Sequence, residues 1–181
     1  MKIISGKYKG RVLKGYTLKG TRPTMDRVKE SLFASIQDKV KESVCLDLFA
    51  GSGNLGIEAL SMGSGEVIFV DREYMASKTI KSNLDMLDNS LNTTILTMDY
   101  LMALEKLYPK KFDIIFLDPP YKTDYIAKAL DKISNLNMLN PLGIVVLESD
   151  SLEKLDYNSY YEEVKTKKYG DKYIRIVKKK D

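Results

Sequence analysis

A short apolar run ends in an acid, two prolines and an aromatic ring between Phe112 and Tyr121. The run predicts a strand buried on both faces of a parallel sheet, because it is apolar without alternation. Pro119 and Pro120 remove two backbone donors and fix two φ angles, so the strand must end and the chain must turn. The Asp118 carboxylate, an unpaired carbonyl and the Tyr121 ring would then lie at the carboxyl edge of a sheet, where open α/β folds bind ligands. Taken alone, this tetrapeptide is equally compatible with a simple strand stop and turn.

A glycine-rich loop with GxGxxG spacing follows another predicted strand. Gly51, Gly53 and Gly56 lie between that strand and a helix, and Asp71 stands twenty residues after Gly51. Glycines let the backbone approach a ligand closely, and an acid at this distance can accept hydrogen bonds from ribose hydroxyls. The pattern therefore predicts a nucleotide-type ligand.

Two kinds of nucleotide ligand fit this loop. A dinucleotide such as NAD matches the glycine spacing, and it leaves an NAD-dependent oxidoreductase as an alternative. S-adenosylmethionine (SAM) is favoured because Asp47, four residues before Gly51, would meet a cation better than a pyrophosphate. The loop region also lacks a nearby lysine or arginine, and SAM carries an ammonium and a sulfonium but no phosphate. Asp99, after the third predicted strand, would then accept from the adenine amino group.

The composition excludes several kinds of chemistry. The chain has 181 residues, a single cysteine (Cys45) and no histidine. An internal disulfide, a cysteine-based zinc site and histidine-dependent nucleophilic catalysis are thereby excluded, and we expect no metal. No apolar run approaches the ~20 residues of a membrane span, and the first residues lack an apolar signal core. We therefore expect a cytoplasmic protein with one domain.

Basic residues are concentrated at the two ends of the chain. The net charge is only +4, yet residues 1–22 contain no acid. This distribution favours a polyanionic partner, and Tyr8 and Tyr16 among the basic residues slightly favour nucleic acid, although solvated termini explain the charges almost as well. The basic residues of this segment are Lys2, Lys7, Lys9, Arg11, Lys14, Lys19 and Arg22.

Strand-like and helix-like segments alternate through the middle of the chain. Strands are predicted at 44–49, 66–71, 93–98, 112–117 and 144–148, and helices at 54–62, 74–87 and 125–136, with a short helix ending at 107. This repeat predicts a mostly parallel sheet with helices on both faces. Strand-like runs at 161–168 and 172–178 flank Gly170-Asp171 and predict a terminal antiparallel hairpin. The fold class is therefore α/β, with a Rossmann-like, mostly parallel seven-stranded sheet.

The first forty residues precede this alternating pattern and differ from it. Apolar pairs at 3–4 and 12–13 flank SGKYKGR and predict a small N-terminal β-hairpin. A helix follows, with Thr24 as its N-cap. Arg22, Arg27 and Lys29 lie at or near its start, where they can meet phosphates. We expect residues 1–22 to be a basic extension and residues 23–181 the catalytic core.

The ordered motifs VCLDLFAGSG, FVDRE, TMD and FLDPPY resemble those of class I SAM-dependent methyltransferases that act on exocyclic amines. The segments IISGKYKGRVL and TRPTMDRVKESLF resemble the N-terminal signature of the bacterial small-subunit ribosomal RNA guanine-N2 methyltransferase family. The resemblance covers nearly the whole chain. It implies a class I methyltransferase fold, SAM as cofactor and small-subunit ribosomal RNA as substrate, in an assembled or assembling subunit.

The expected site residues fall into three groups. The catalytic group is Asp118, Pro119, Pro120 and Tyr121. The SAM-binding group is Asp47, Phe49, Ala50, Gly51, Gly53, Asp71, Arg72, Asp99 and Tyr100. The RNA-binding group is Lys7, Lys9, Arg11, Arg22, Thr24 and Arg27.

The residue types suit methylation of a base amine. Such an amine is a poor nucleophile, because its lone pair is delocalised into the ring. Hydrogen bonds from its protons to the Asp118 carboxylate and the Pro119 carbonyl would favour a pyramidal nitrogen whose lone pair points at the SAM methyl group. Tyr121 would stack on the base, a contact worth ~1–3 kcal/mol in single-stranded recognition. A methylated nitrogen is acidic, so its proton leaves without a strong base.

Other functions remain open at this stage. A DNA adenine or protein glutamine methyltransferase could use similar Pro-Pro chemistry, but would usually carry additional recognition sequence. A non-catalytic RNA-binding protein would not require Asp118 and Tyr121 together. We expect no membrane contact, no obligate protein partner and a monomer.

Overall fold

The computed structural model describes residues 1–15, 23–120, 124–150 and 160–181. The helices are α1 (Pro23–Val40), α2 (Asn54–Ser61), α3 (Tyr74–Asp85), α4 (Tyr100–Leu107) and α5 (Tyr125–Asn135). The strands are β1 (Val44–Asp47), β2 (Glu66–Asp71), β3 (Thr93–Thr97), β4 (Phe112–Leu117), β5 (Leu139–Ser149), β6 (Tyr161–Tyr169) and β7 (Lys172–Lys179). None of the described helices is both long and apolar enough to cross a membrane.

The strands form one seven-stranded sheet in the order β3-β2-β1-β4-β5-β7-β6. Strands β1 to β5 pair in parallel, whereas β7 pairs antiparallel with both β5 and β6. The predicted mostly parallel sheet with a terminal antiparallel hairpin is confirmed. The order reverses beside β1, so the loops after β1 and β4 flank a crevice at the carboxyl edge, as in other doubly wound sheets.

Helices cover both faces of the sheet, and the side chains of β4 show why. Ile114 and Phe116 belong to the core under the N-terminal segment, α1, α2 and α3. Ile115 and Leu117 belong to the second core, under α4 and α5. Successive side chains of a strand point to opposite faces, so a strand between two helical layers must be apolar at every position.

Strand β5 begins five residues earlier than the sequence predicts. Leu139 already pairs with Phe112, and a register shift separates this pair from the next one, which includes Ile144. Pro141 and Gly143 interrupt the apolar pattern between them, which is why the sequence placed the strand start at 144. An irregularity in a parallel pair accommodates these residues without ending the strand.

The N-terminal segment forms a short antiparallel hairpin, in which backbone hydrogen bonds join residues 1–3 to residues 10–13. A single antiparallel bridge joins Lys2 and Val12. Other backbone donors of the segment bond to α2 instead, since the amides of Ile4 and Ser5 both donate to the Glu58 carboxylate, at 3.1 and 2.9 Å. The predicted hairpin is therefore present in a short form, and its turn is fastened to α2, which supplies acceptors for the remaining backbone donors.

Helix α1 differs from its prediction in two respects. It begins at Pro23, so Thr24 lies inside the first turn rather than at the N-cap. A proline at the first helical position is favourable because its missing N–H would be unpaired there anyway. Lys29, predicted to face phosphates, is buried and faces the protein interior instead.

A buried ion pair explains this orientation of Lys29. Its Nζ lies 2.9 Å from Glu58 Oε2, with side chains 2% and 0% exposed. The same ammonium donates to the Lys2 carbonyl and to Asn54 Oδ1, each at 2.7 Å. This ammonium thus joins the N-terminal segment, α1 and the first residue of α2, immediately beyond the glycine loop.

We expect Lys29→Met to lower the free energy of unfolding by about 3–5 kcal/mol, because the Glu58 charge would stay buried without its counterion. Chemical denaturation measures this loss. Lys81→Met is the control, because Lys81 forms an exposed pair with Asp85, and its loss should cost under about 0.5 kcal/mol. Equal losses in the two variants would contradict the structural importance of the buried pair.

Candidate active site

A large cavity opens at the carboxyl edge of the sheet, beside β1 and β4. Its volume is about 1070 Å³, which is at the upper end for sites that bind small molecules. The predicted residues that line it are Asp47, Phe49, Ala50, Gly51, Asp71, Arg72, Asp99, Tyr100, Asp118, Pro119 and Pro120. Motifs from four separate loops therefore meet in one place, as their positions after parallel strands predicted.

Two carboxylates hold the backbone of the glycine loop. Asp47 Oδ2 accepts from the Gly56 amide at 3.0 Å, and Asp71 Oδ2 accepts from the Gly51 amide at 2.9 Å. Gly51 has a φ of 55° and Gly53 a φ of 85°. Other residues rarely adopt such angles, so the loop can take this path only with glycine at these positions.

Gly53 and Gly56 act on packing rather than on the cavity wall. Gly53 precedes α2 and is not among the lining residues. A Cβ on Gly56 would lie 2.3 Å from the Phe69 ring, so only glycine lets α2 lie this close to β2. Gly53 thus shapes the loop that lines the cavity, and its predicted contact with SAM stays a prediction.

Asp47 lies at the floor of the cavity and is 1% exposed. Burial raises the pKa of its carboxyl to about 7, the hydrogen bond from Gly56 opposes this rise, and nearby Asp71 adds to it. The prediction that Asp47 meets the cofactor cation directly remains a proposal. Its visible contact is with the loop backbone.

Asp71 and Asp99 stand at the ends of β2 and β3. Asp71 Oδ1 also accepts from the Glu73 amide at 2.9 Å. Asp99 caps α4, where its Oδ1 accepts from Leu101 and Met102 amides at 2.9 and 3.4 Å. Both capping bonds use Oδ1, so Oδ2 of Asp99 can still accept from a ligand.

An aromatic wall stands beside these acids. Phe49 stacks on Tyr125 with ring centroids 6.0 Å apart and packs against Tyr100 at 5.0 Å. Tyr100 and Tyr125 also pack together at 5.1 Å. Sequence reasoning missed Tyr125 as a site residue and placed it only at the start of a helix. Its one available signal was its position just after the Pro-Pro turn.

Asp118 lies at the end of β4 with its carboxyl in the cavity. Its pKa is raised well above the usual range, mainly by desolvation and then by the negative charge of Glu148, with Asp47 adding and Lys172 opposing. Its carboxylate accepts no hydrogen bond from the described part of the chain. Pro119 is buried and Pro120 exposed, and Tyr121 lies outside the described residues.

Glu148 and Lys172 are two lining residues that sequence reasoning did not identify. Lys172 Nζ donates to Glu148 Oε1 at 2.6 Å. They are 24 residues apart in the chain and meet only because β7 pairs with β5. The sequence predicted the terminal hairpin that contains Lys172, but it did not predict that this hairpin lies beside β5.

The predicted RNA-binding residues Lys7, Lys9, Arg11 and Arg27 are all exposed. Lys7 pairs with Asp88 at 3.3 Å, and Arg11 Nη1 donates to the Met86 carbonyl at 2.8 Å. Arg22 and the Thr24 side chain lie outside the described structure.

The suggestion that Tyr8 stacks on bases is wrong, because its ring is 6% exposed and packs in the core. Tyr16 lies outside the described residues. The N-terminal segment nevertheless borders the cavity through Met1, Leu13 and Gly15.

Comparison with known proteins places the chain in a family. Residues 1–178 match the family described as Conserved hypothetical protein 95. The Bacillus subtilis protein YlbH is 45% identical over 152 residues, which cover 83% of this chain and 83% of YlbH. The Ribosomal RNA small subunit methyltransferase D of Haemophilus influenzae is 35% identical over 152 residues, 83% of this chain and 79% of that protein.

Solved structures of other proteins also resemble this chain. The Haemophilus influenzae protein HI0767 superposes with a TM-score of 0.84 and 30% identity, covering 99% of this chain and 98% of that one. The Thermus thermophilus 16S rRNA N2 G1207 methyltransferase RsmC, solved with AdoMet and guanosine, has a TM-score of 0.71 and 21% identity over 92% of this chain and 45% of that chain. This second likeness shows the fold alone, which is that of a class I methyltransferase. The chain belongs to the Conserved hypothetical protein 95 family, among relatives that include a ribosomal RNA small subunit methyltransferase.

Proposed function

We propose that this protein transfers the methyl group of SAM to the exocyclic N2 of a guanine in small-subunit ribosomal RNA. One observation carries the proposal. The carboxyl of Asp118, which accepts no hydrogen bond from the described chain, shares a single cavity with the glycine loop and the acids that end β1, β2 and β3. The name of the Haemophilus influenzae relative supports small-subunit ribosomal RNA as the substrate.

The cavity suits SAM by the charge of its lining residues and by the aromatic side chains beside them. Asp47, Asp71 and Asp99 line the cavity with carboxylates. These groups suit a cationic ligand whose ribose hydroxyls and adenine amine donate hydrogen bonds. Asp71 would accept from the ribose, Asp99 Oδ2 from the adenine amine, and the wall of Phe49 and Tyr100 would contact the adenine ring. When bound, SAM supplies an electrophilic methyl group.

Asp118 and the Pro119 carbonyl would orient the target amine. Each accepts a hydrogen bond from one amine proton, which favours the pyramidal nitrogen that attacks the methyl carbon. Bound SAM would supply the methyl group and keep the electron pair of its sulfur–carbon bond as the amine nitrogen gained the methyl carbon, and the methylated nitrogen would lose its extra proton to solvent. Orientation of the reactants supplies most of the catalysis, so the absence of histidine is no obstacle.

The RNA partner is assigned to the basic N-terminal segment together with Arg27. We propose that the basic residues of segment 1–22 bind RNA phosphates and that residues 23–181 form the catalytic core. An assembled or assembling subunit is the proposed substrate, because a structured RNA can present the base to an enzyme with little sequence devoted to target recognition. We propose that the enzyme acts as a monomer in the cytoplasm.

Asp71→Ala should weaken SAM binding by about 1–3 kcal/mol, because a partly buried acceptor for the ribose is lost. Isothermal calorimetry with SAM measures the change, and NAD should bind much more weakly than SAM to the unaltered protein. Asp85→Ala, which removes an exposed carboxylate of α3, is the matched control and should leave the affinity unchanged. Tight NAD binding without a SAM signal would refute the cofactor assignment.

Replacing Lys7, Lys9 and Arg11 together with glutamine should weaken RNA binding and flatten its dependence on salt, because fewer phosphate counterions are released. Binding to small ribosomal subunits is measured across a range of salt concentrations. The matched control replaces Lys106, Lys111 and Lys128, exposed residues near α4 and α5 on the opposite side of the sheet. An unchanged salt dependence of RNA binding in the N-terminal variant would show that the three replaced charges contact only solvent.

Asp118→Ala should lower the rate of methyl transfer by a factor of roughly 10²–10³ with little change in RNA affinity, by analogy with the loss of one preorganised hydrogen-bonding group. Single-turnover transfer from labelled SAM to small subunits measures the rate. Asp118→Asn should be less severe, because its amide oxygen still accepts. The raised pKa of Asp118 adds a further expectation: the unaltered enzyme should slow as falling pH protonates this carboxyl, whereas Asp118→Asn should not show that step. A near-normal rate in Asp118→Ala would show that the turn is only a strand stop.

A further inference from the structure

We propose that Glu148 and Lys172 select guanine by reading its Watson–Crick edge beside Asp118. This inference rests on the proposed function, which requires the exocyclic amine but does not explain how other bases with an exocyclic amine are refused. It assigns specificity to a pair of residues from β5 and β7 that neither the glycine loop nor the Pro-Pro turn contains.

The fold places the three side chains at one edge of the sheet. Leu117 of β4 pairs in parallel with Leu147 of β5, so Asp118 and Glu148 are the next positions on neighbouring strands. Neighbouring strands lie about 4.8 Å apart, so the two carboxylates are close. Lys172 begins β7 on the far side of β5, and all three residues line the cavity.

The ion pair between Glu148 and Lys172 fixes the order of charges along the cavity wall. The Glu148 side chain is 11% exposed and bonds to Lys172 through Oε1 alone. Its Oε2 accepts nothing from the described residues and can accept from a ligand. The Lys172 side chain is 30% exposed, and its ammonium carries three N–H donors.

The charges of both residues act on Asp118. Desolvation is the largest cause of the raised pKa of Asp118, the negative charge of Glu148 is the next, and Lys172 opposes the rise. The strand register independently places Glu148 beside Asp118. The cavity wall therefore presents an acceptor, a second acceptor and a donor: Asp118, Glu148 and Lys172.

This order matches the edge of guanine and of no other standard base. Guanine presents a donor at N2, a donor at N1 and an acceptor at O6. With N2 at Asp118, the N1–H would donate to Glu148 and O6 would accept from Lys172. Adenine presents an acceptor at N1 and a donor at N6. In the same placement, its N1 would face the Glu148 carboxylate and its N6 amine the Lys172 ammonium, and neither pair can form a hydrogen bond. Enzymes that act on single bases read this edge by hydrogen bonds, and buried polar groups left unpaired reject a wrong substrate strongly.

The test replaces the target guanine, located by mass analysis of the rRNA, with 2-aminopurine in reconstituted small subunits. This base keeps the N2 amine but has an acceptor at N1 and no O6. The unaltered enzyme should transfer methyl to guanine at least ~100-fold faster than to 2-aminopurine. Glu148→Gln, whose amide can donate to N1, should reduce this ratio by roughly tenfold or more, and Lys172→Met should also reduce it.

The ratio separates specificity from a structural role, because general damage to the fold would slow transfer to both bases alike. Glu162→Gln and Lys178→Met are matched controls, since this exposed pair joins the same hairpin outside the cavity. If Glu148→Gln does not fold, the ratio of transfer rates to guanine and to 2-aminopurine, compared between Lys172→Met and the unaltered enzyme, still tests the proposal. An unaltered ratio in the folded variants, with guanine methylated normally by the unaltered enzyme, would overturn this inference alone. No transfer to guanine by the unaltered enzyme would overturn the proposed function and this inference with it.

Discussion

The site depends on two hydrogen bonds from the glycine loop to carboxylates at strand ends. Asp47 holds the Gly56 amide and Asp71 holds the Gly51 amide, so the loop is fixed at both ends to neighbouring parallel strands. A loop without side chains at its tightest points can then stay open above the sheet. The strand ends beneath the cavity carry acids instead of apolar residues, and these acids suit a cationic cofactor.

The concentration of carboxylates has an electrostatic consequence. Burial is the main cause of the raised pKa of both Asp47 and Asp118. The charge of Asp71 adds to the rise at Asp47, and the charges of Glu148 and Asp47 add to the rise at Asp118. Lys172 is the cation that partly offsets this repulsion at Asp118, since Lys29 is committed to Glu58 beneath the N-terminal segment. A ligand with positive charge and with donor groups would relieve the remaining repulsion. The excess of negative charge in the cavity thus favours the binding of both SAM, which is cationic, and a base amine, which donates hydrogen bonds.

Much of the fold was predictable from the sequence, because its signals are local. The apolar run that ends in Asp118 needs no partner to be recognised as a buried strand, and the spacing of Gly51 and Gly53 identifies the turn after β1. The start of β5 at Leu139 was not predictable, since Pro141 and Gly143 hide a strand that only its pairing with β4 reveals.

The contents of the site were predictable only in part. Asp71 and Asp118 follow directly from their positions at strand ends. Glu148 and Lys172 meet through antiparallel pairing of β5 with β7, and no sequence spacing encodes which strand the hairpin joins. The burial of Lys29 was missed for the same reason, because its partner Glu58 lies on another helix.

In the proposed reaction, a guanine amine and SAM meet at Asp118. Nucleoside mass analysis of small-subunit rRNA from a strain lacking the gene tests it most directly. We predict the loss of one N2-methylguanosine, its return when the unaltered gene is supplied, and no return with Asp118→Ala produced at the same level. An unchanged content of N2-methylguanosine in the deletion strain, or full return with Asp118→Ala, would contradict the account.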